Sequence, residues 1–215
     1  MRRWWRALVF FGVRGFAPSR LAGILVAASL GAPAPAAAHP HVFIDYAVAM
    51  LFDDAGVVGA RVTWTFDEMY SSMLFHDYTS RPQGQLSAAD IKKLEEEAFK
   101  ATADYHYFID LTLNGAAVTV TEFKDFTARY EQHRMIYSFT VPIHDPARSG
   151  PSTLELAAFD HEFYIDFELA KRKPVTVQNG EKLAAQCAPK TERKDTSTFG
   201  PMDAVVVACH YGRAS

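Results

Sequence analysis

Apolar and polar positions alternate from Val58 to Phe66: Ala60, Val62, Trp64 and Phe66 face one way, and Arg61, Thr63 and Thr65 the other. A period of two marks a half-buried strand. His41 to Phe52 reads as the strand before it, ended by the turn Asp53-Asp54-Ala55-Gly56. The period then changes. From Asp67 to Asp77, Met69, Met73 and His76 fall at helical spacing, as do Tyr70 and Leu74. Asp67-Glu68 reads as a helix-start pair that favours the macrodipole. Ser87-Ala88-Ala89-Asp90 is a capping box. It predicts a second helix to about Ala103, with Ile91, Leu94, Ala98 and Ala101 inward.

Strands resume afterwards. Ile109, Leu111 and Leu113 alternate up to Asn114-Gly115, a strong hairpin signal. Phe126, Ala128 and Tyr130 follow, then Met135, Tyr137, Phe139 and Val141, with the run expected to end at Pro142. Leu154 to Phe159, Phe163 to Leu169, Val175 to Gln178, Leu183 to Cys187 and Val205 to Cys209 complete the set. The pattern predicts a mainly β (α+β) fold: an antiparallel β sandwich-like domain with an inserted helix–loop–helix over about 67–103.

The first 38 residues carry a different pattern. Arg2, Arg3, Arg6, Arg14 and Arg20 precede an apolar run from Leu21 to Leu30. Gly31-Ala32-Pro33-Ala34-Pro35 breaks any helix, and Ala36-Ala37-Ala38 fits the small-residue cleavage rule. The run is short of the ~18–20 residues that span a bilayer. The expectation is a signal peptide over 1–38, a single domain over 39–215, and a periplasmic location. Arg2-Arg3 is a weak pointer to the twin-arginine route.

Composition changes meaning once the leader is set aside. The whole chain has 22 basic and 25 acidic residues, a formal charge of −3. Without the five leader arginines (22 − 5 = 17), 17 basic residues face 25 acids, or −8. All eight histidines lie after the leader. An acidic chain without a basic patch argues against nucleic acid or anionic lipid as partner and suits a cation. Nucleophile elbow, P-loop, dinucleotide fingerprint and His-Glu-x-x-His are all absent, so the chain does not read as an enzyme.

Cys187 and Cys209 are expected to form a disulfide in an oxidising compartment. Closing a loop of roughly 20 residues contributes about 3 kcal/mol in the chain-entropy model. The enclosed segment, Ala188 to Met202, is polar and reads as a loop that needs tying down. The rival reading is a pair of thiolate metal ligands.

Cleavage after Ala38 would leave His39-Pro40-His41 at the start of the mature chain. The α-amino group and two imidazoles are three nitrogens able to bind a metal once deprotonated. Two residues apart in an extended chain, the imidazoles project to one side. Pro40 removes a backbone N–H, which counts against a square-planar site built on amide nitrogens. Amine plus imidazoles suits tetrahedral Zn²⁺, and also Ni²⁺, Co²⁺ or Cu²⁺. The set is incomplete. Asp160 and His161, in the turn between Phe159 and Phe163, are expected to complete it, with Asp166 as a further candidate.

These residues resemble a known family. The carriers are His39-Pro40-His41-Val42-Phe43-Ile44-Asp45, Trp64-Thr65-Phe66-Asp67-Glu68-Met69-Tyr70-Ser71, Arg129-Tyr130-Glu131 before Phe139-Thr140-Val141-Pro142, and Phe159-Asp160 before Phe163-Tyr164. In order and spacing they are similar to the bacterial periplasmic family known as domain of unknown function 1007, over His39 to about Leu169. The resemblance implies a periplasmic component of a transport system, zinc binding, and an inner-membrane nickel/cobalt-type permease as partner. Two features depart from the family pattern. An EF-hand-like loop over 79–90 keeps Gly84 and Asp90, but Thr79, Arg81 and Gln83 replace its early oxygen ligands. Calcium needs about 6–8 oxygens, so the loop reads as a structural relic. His161 stands where relatives usually have proline.

The expected function is capture of a transition metal, zinc foremost, and its supply to the permease. Two alternatives remain at this point. One is a periplasmic structural or assembly module without metal. The other is a copper enzyme using the N-terminal histidines as a clamp.

Overall fold

The structure, a computed structural model, describes residues 41–79, 85–146 and 150–213. The leader, its cleavage seam and His39 lie outside the described residues, as do residues 80–84 of the EF-hand-like loop.

Two sheets pack face to face. Strands β1 (Val42–Phe52) and β2 (Gly56–Phe66) form a hairpin whose turn is held by Asp53, its carboxylate accepting from the Ala55 and Gly56 amides. After the helix α1 (Glu68–Tyr78) and the helix α2 (Ala88–Lys93) come β3 (Ile109–Leu113), β4 (Ala116–Val118), β5 (Lys124–Glu131) and β6 (Arg134–Pro146). The chain ends with β7 (Ser152–Ala158), β8 (Ile165–Leu169), β9 (Val175–Gln178), β10 (Gln186–Thr196) and β11 (Gly200–Tyr211). One sheet runs β5-β6-β2-β1-β8, with β9 beside the far half of β1; the other runs β10-β11-β7-β3-β4. The mainly β, sandwich-like expectation holds, and Asn114 (φ 50°) and Gly115 (φ 82°) make the expected left-handed turn.

Three details differ from the sequence pattern. First, β1 pairs with β8 and β9 in parallel. Alternation reveals which face is buried but not strand direction. Strand β8 arrives from β7 in the opposite sheet rather than through a hairpin, so nothing forces it antiparallel. Second, the polar segment after Cys187 is not a loop. Strands β10 and β11 form a long hairpin, with Cys187 directly opposite Cys209 in the register and disulfide-bonded to it. This arm satisfies its backbone by pairing, with most of β10 exposed, so it needs little apolar content. Strand β10 is a sheet edge, the place where Pro189 is tolerated.

Third, the helix opened by the Ser87–Asp90 capping box does not keep its α spacing. It loosens into a π stretch over Leu94–Phe99, then tightens over Lys100–Phe108. The inward residues are therefore Leu94 and Phe99, five apart, while Ala101 is exposed. A wider turn brings residues five apart onto one face. The run ends where His106, Tyr107 and Phe108 take φ of 53°, 55° and 50°.

Aromatic rings fill the centre. Trp64, on the inner face of β2, meets Phe66, Phe99, Phe108, Phe139 and Phe167 at centroid distances of 5.0–6.4 Å. Helix α1 closes one end of the sandwich. Its N-cap Asp67 accepts from the Tyr70 amide and, through its other oxygen, from the Phe43 amide of β1. Buried Ser71 donates to the Phe66 carbonyl and accepts from the Met135 amide.

Candidate functional site

His41 directly precedes β1, and burial alternates from it onward: His41 exposed, Val42 buried, Phe43 exposed, Ile44 buried. The His41 amide donates to the Tyr164 carbonyl at 2.9 Å, and the two rings lie 4.9 Å apart. The structure thus brings His41 against Tyr164, at the end of the 160–164 turn.

Within that turn, however, Asp160 and His161 are engaged elsewhere. Asp160 is 3% exposed. One carboxylate oxygen accepts from the Glu162 amide at 2.9 Å; the other accepts from the Tyr164 and Ile165 amides at 2.9 and 3.0 Å. The Phe163 amide bonds back to the Asp160 carbonyl. Phe163 takes φ 56°, and the chain turns into β8. Asp160 therefore builds the turn.

His161 points to the other sheet. Its Nε2 lies 3.1 Å from an Asp110 carboxylate oxygen and its Nδ1 lies 3.0 Å from the Asp195 carbonyl. Both partners are acceptors, so the arrangement fits an imidazolium donating twice. Burial lowers its pKa, but the bonds to Asp110 and Asp195 outweigh that and leave it raised. Asp110 responds in kind: burial raises its carboxyl, while hydrogen bonds from Lys194 (2.8 Å) and His161 bring it net below the usual range. A histidine held above its ordinary value stabilises the fold fully below about pH 6.5, and that contribution fades as pH rises through the folded value. In an NMR titration His161 should titrate above 6.5, and Asp110→Asn should bring it down. A normal His161 value in the unsubstituted protein would refute the paired geometry. No local sequence pattern links Asp110, His161 and Lys194; the sheets bring them together.

Asp166 is one of the carboxylates on the outer face of this sheet. Strands β1 and β8 run in parallel with Phe43 opposite Asp166, so Asp166 shares the outer face with Phe43 and, by alternation, with His41. Glu168 lies opposite Asp45 on that face, and Asp45 is paired with Arg134 at 2.8 Å. Burial and, secondarily, the charge of Glu168 raise the Asp166 carboxyl above its ordinary value. Asp166 and Glu168 also line a groove of about 680 Å³ between β8 and the β10–β11 hairpin, along with Phe163, Arg193 and Asp203. Among the described residues, no three His, Cys, Asp or Glu side chains converge as a ready metal site. Cys187 and Cys209 are consumed by the disulfide, which removes the thiolate alternative in this state. No helix among the described residues is long and apolar enough to cross a membrane.

A family model described as "Protein of unknown function (DUF1007)" matches residues 24–199, most of the chain. An uncharacterised protein of Haemophilus influenzae is 25% identical over 140 residues, which span 64% of this chain and 66% of that protein, just short of two thirds. Among solved structures, AChBP from Bulinus truncatus superposes with a TM-score of 0.41 at 13% identity, over 81% of this chain and 87% of that one.

Proposed function

The chain belongs to the DUF1007 family of proteins of unknown function, and from that premise we propose that its exported form captures a transition-metal ion, zinc foremost. In this reading it passes the ion to an inner-membrane nickel/cobalt-type permease. The observation that carries the reading is the register that sets Asp166 opposite Phe43 on the outer face, with exposed His41 two residues before Phe43. Partial burial and the Glu168 charge already disfavour an isolated Asp166 carboxylate, and a bound divalent cation relieves that repulsion. His39 and His41 supply imidazoles, Asp166 the carboxylate, and an N-terminal amine at His39 a fourth donor. This set suits a tetrahedral Zn²⁺. Asp166 is preferred to Asp160 and His161 because their polar atoms hold the turn and bond to the second sheet. The exposure of His41 suits handover.

The test is zinc titration by calorimetry on the protein beginning at His39. Replacing both His39 and His41 by alanine is expected to abolish tight binding. Asp166→Asn is expected to weaken it by at least the ~10–100-fold that loss of an outer-shell partner costs. Binding should also weaken as pH falls, because imidazole ligands must be neutral. Wild-type affinity in the double-histidine variant would sink the site. If the unsubstituted protein binds no metal at all, the structural or assembly module becomes the better reading.

A further inference from the structure

We propose that the outer face of α1 is a second metal site, built from Met69, Met73 and His76 and suited to a soft monovalent cation, Cu(I) or Ag(I). Helix α1 buries Ser71, Leu74 and Phe75 against the sandwich. Its opposite face should then be polar. Instead Met69 is 73% exposed and Met73 48% exposed, and the His76 side chain is 91% exposed. The three follow each other at four and three residues, the spacings at which helical side chains are neighbours, with Cβ atoms roughly 5–6 Å apart. Thioether sulfur is a poor ligand for zinc and a good one for Cu(I), and imidazole suits copper as well.

A second observation concerns the imidazole. His76 Nδ1 lies 3.2 Å from the Asp77 carboxylate. Donation of that N–H to Asp77 leaves the lone pair on Nε2, the arrangement by which an outer carboxylate orients a ligating histidine. The scaffold beneath is fixed. Asp67 caps the helix and ties it to β1, while Ser71 bridges Phe66 and Met135. Three soft or borderline donors thus stand on a helix anchored from its other side. This site shares no residue with the His39–His41–Asp166 set, so either can fail without the other.

The experiment uses the purified protein with ¹³C-methyl-labelled methionine, titrated with silver nitrate in chloride-free buffer. The Met69 and Met73 methyl resonances and the His76 ring protons should shift together and saturate at one equivalent. Met50 and Met135, both fully buried, should not move. Met73→Leu should weaken Ag(I) binding by about tenfold or more, and His76→Ala should weaken it as well. Leucine keeps helix propensity and apolar character, so these variants should fold. Zinc added alone should leave the three residues unshifted. Shifts confined to His41 or Met202, or unchanged affinity in a Met73→Leu/His76→Ala double variant, would overturn the proposal. In that outcome the exposed methionines would serve only as an apolar contact surface.

Discussion

Phe99→Ala is expected to destabilise the domain by about 3–5 kcal/mol, the range for removing a buried phenylalanine. Phe99 is 1% exposed and its ring meets six others: Trp64, Tyr107, Phe123, Phe126, Tyr137 and Phe139, at 4.6–6.2 Å. With Leu94 and Tyr107, it anchors the inserted helical segment to the core. Truncation leaves a cavity among large rings that cannot close over it. At about 2–4 °C per kcal/mol for a domain of this size, the melting temperature should fall by roughly 10 °C. The control lies one position earlier. An unbroken α-helix would turn Ala98 inward with Leu94, four residues before it. Thermal melts of Phe99→Ala and Ala98→Glu separate the two windings. A larger loss in Ala98→Glu would mean that the π stretch is absent.

That winding shows where the sequence stops being legible. Ser87 and Asp90 announced the helix start, because a cap is a local contract between residues three apart. They could not announce the π stretch, whose Phe99 packs on Trp64 and Phe139, residues distant in sequence. Likewise, the alternation of Trp64 and Phe66 disclosed their buried face. The direction of β8 beside β1 depends on the crossover from the other sheet, and no residue in β8 encodes it. The polar composition of the β10–β11 arm predicts a loop, whereas backbone pairing and one disulfide hold it.

The candidate site divides along the same line. The approach of the His41 segment to the Phe159–Phe163 turn was readable, since the same motifs carry both. What Asp160 and His161 bond to was not. Asp160 and His161 are adjacent in sequence and chemically apt, yet side-chain direction is set by the turn. Asp160 faces three amides and His161 faces Asp110. Asp166 gains its place only from the parallel register that sets it opposite Phe43.

Asp160→Ala should therefore unfold more than it unbinds. The substitution leaves three amides, those of Glu162, Tyr164 and Ile165, without their acceptor at a position shielded from water. Hydrogen bonds to charged groups contribute about 1.5–3 kcal/mol each, and orphaned buried donors carry a desolvation penalty besides. Because the three act as one turn, their losses do not add fully, and a net cost of about 3–4 kcal/mol is expected. The damage should be local first. Loss of the turn frees the entry to β8, so amides from Tyr164 to Leu169 should lose hydrogen-exchange protection ahead of the β10–β11 hairpin. Asp160→Asn keeps one oxygen and should recover part of the stability. Zinc binding then discriminates between roles. If Asp160 builds the turn, Asp160→Asn melts lower but holds zinc close to wild-type affinity, while Asp166→Asn melts normally and holds it poorly. The reverse pattern, an unchanged melt with zinc binding lost in Asp160→Asn, would return Asp160 to the ligand set and remove Asp166 from it.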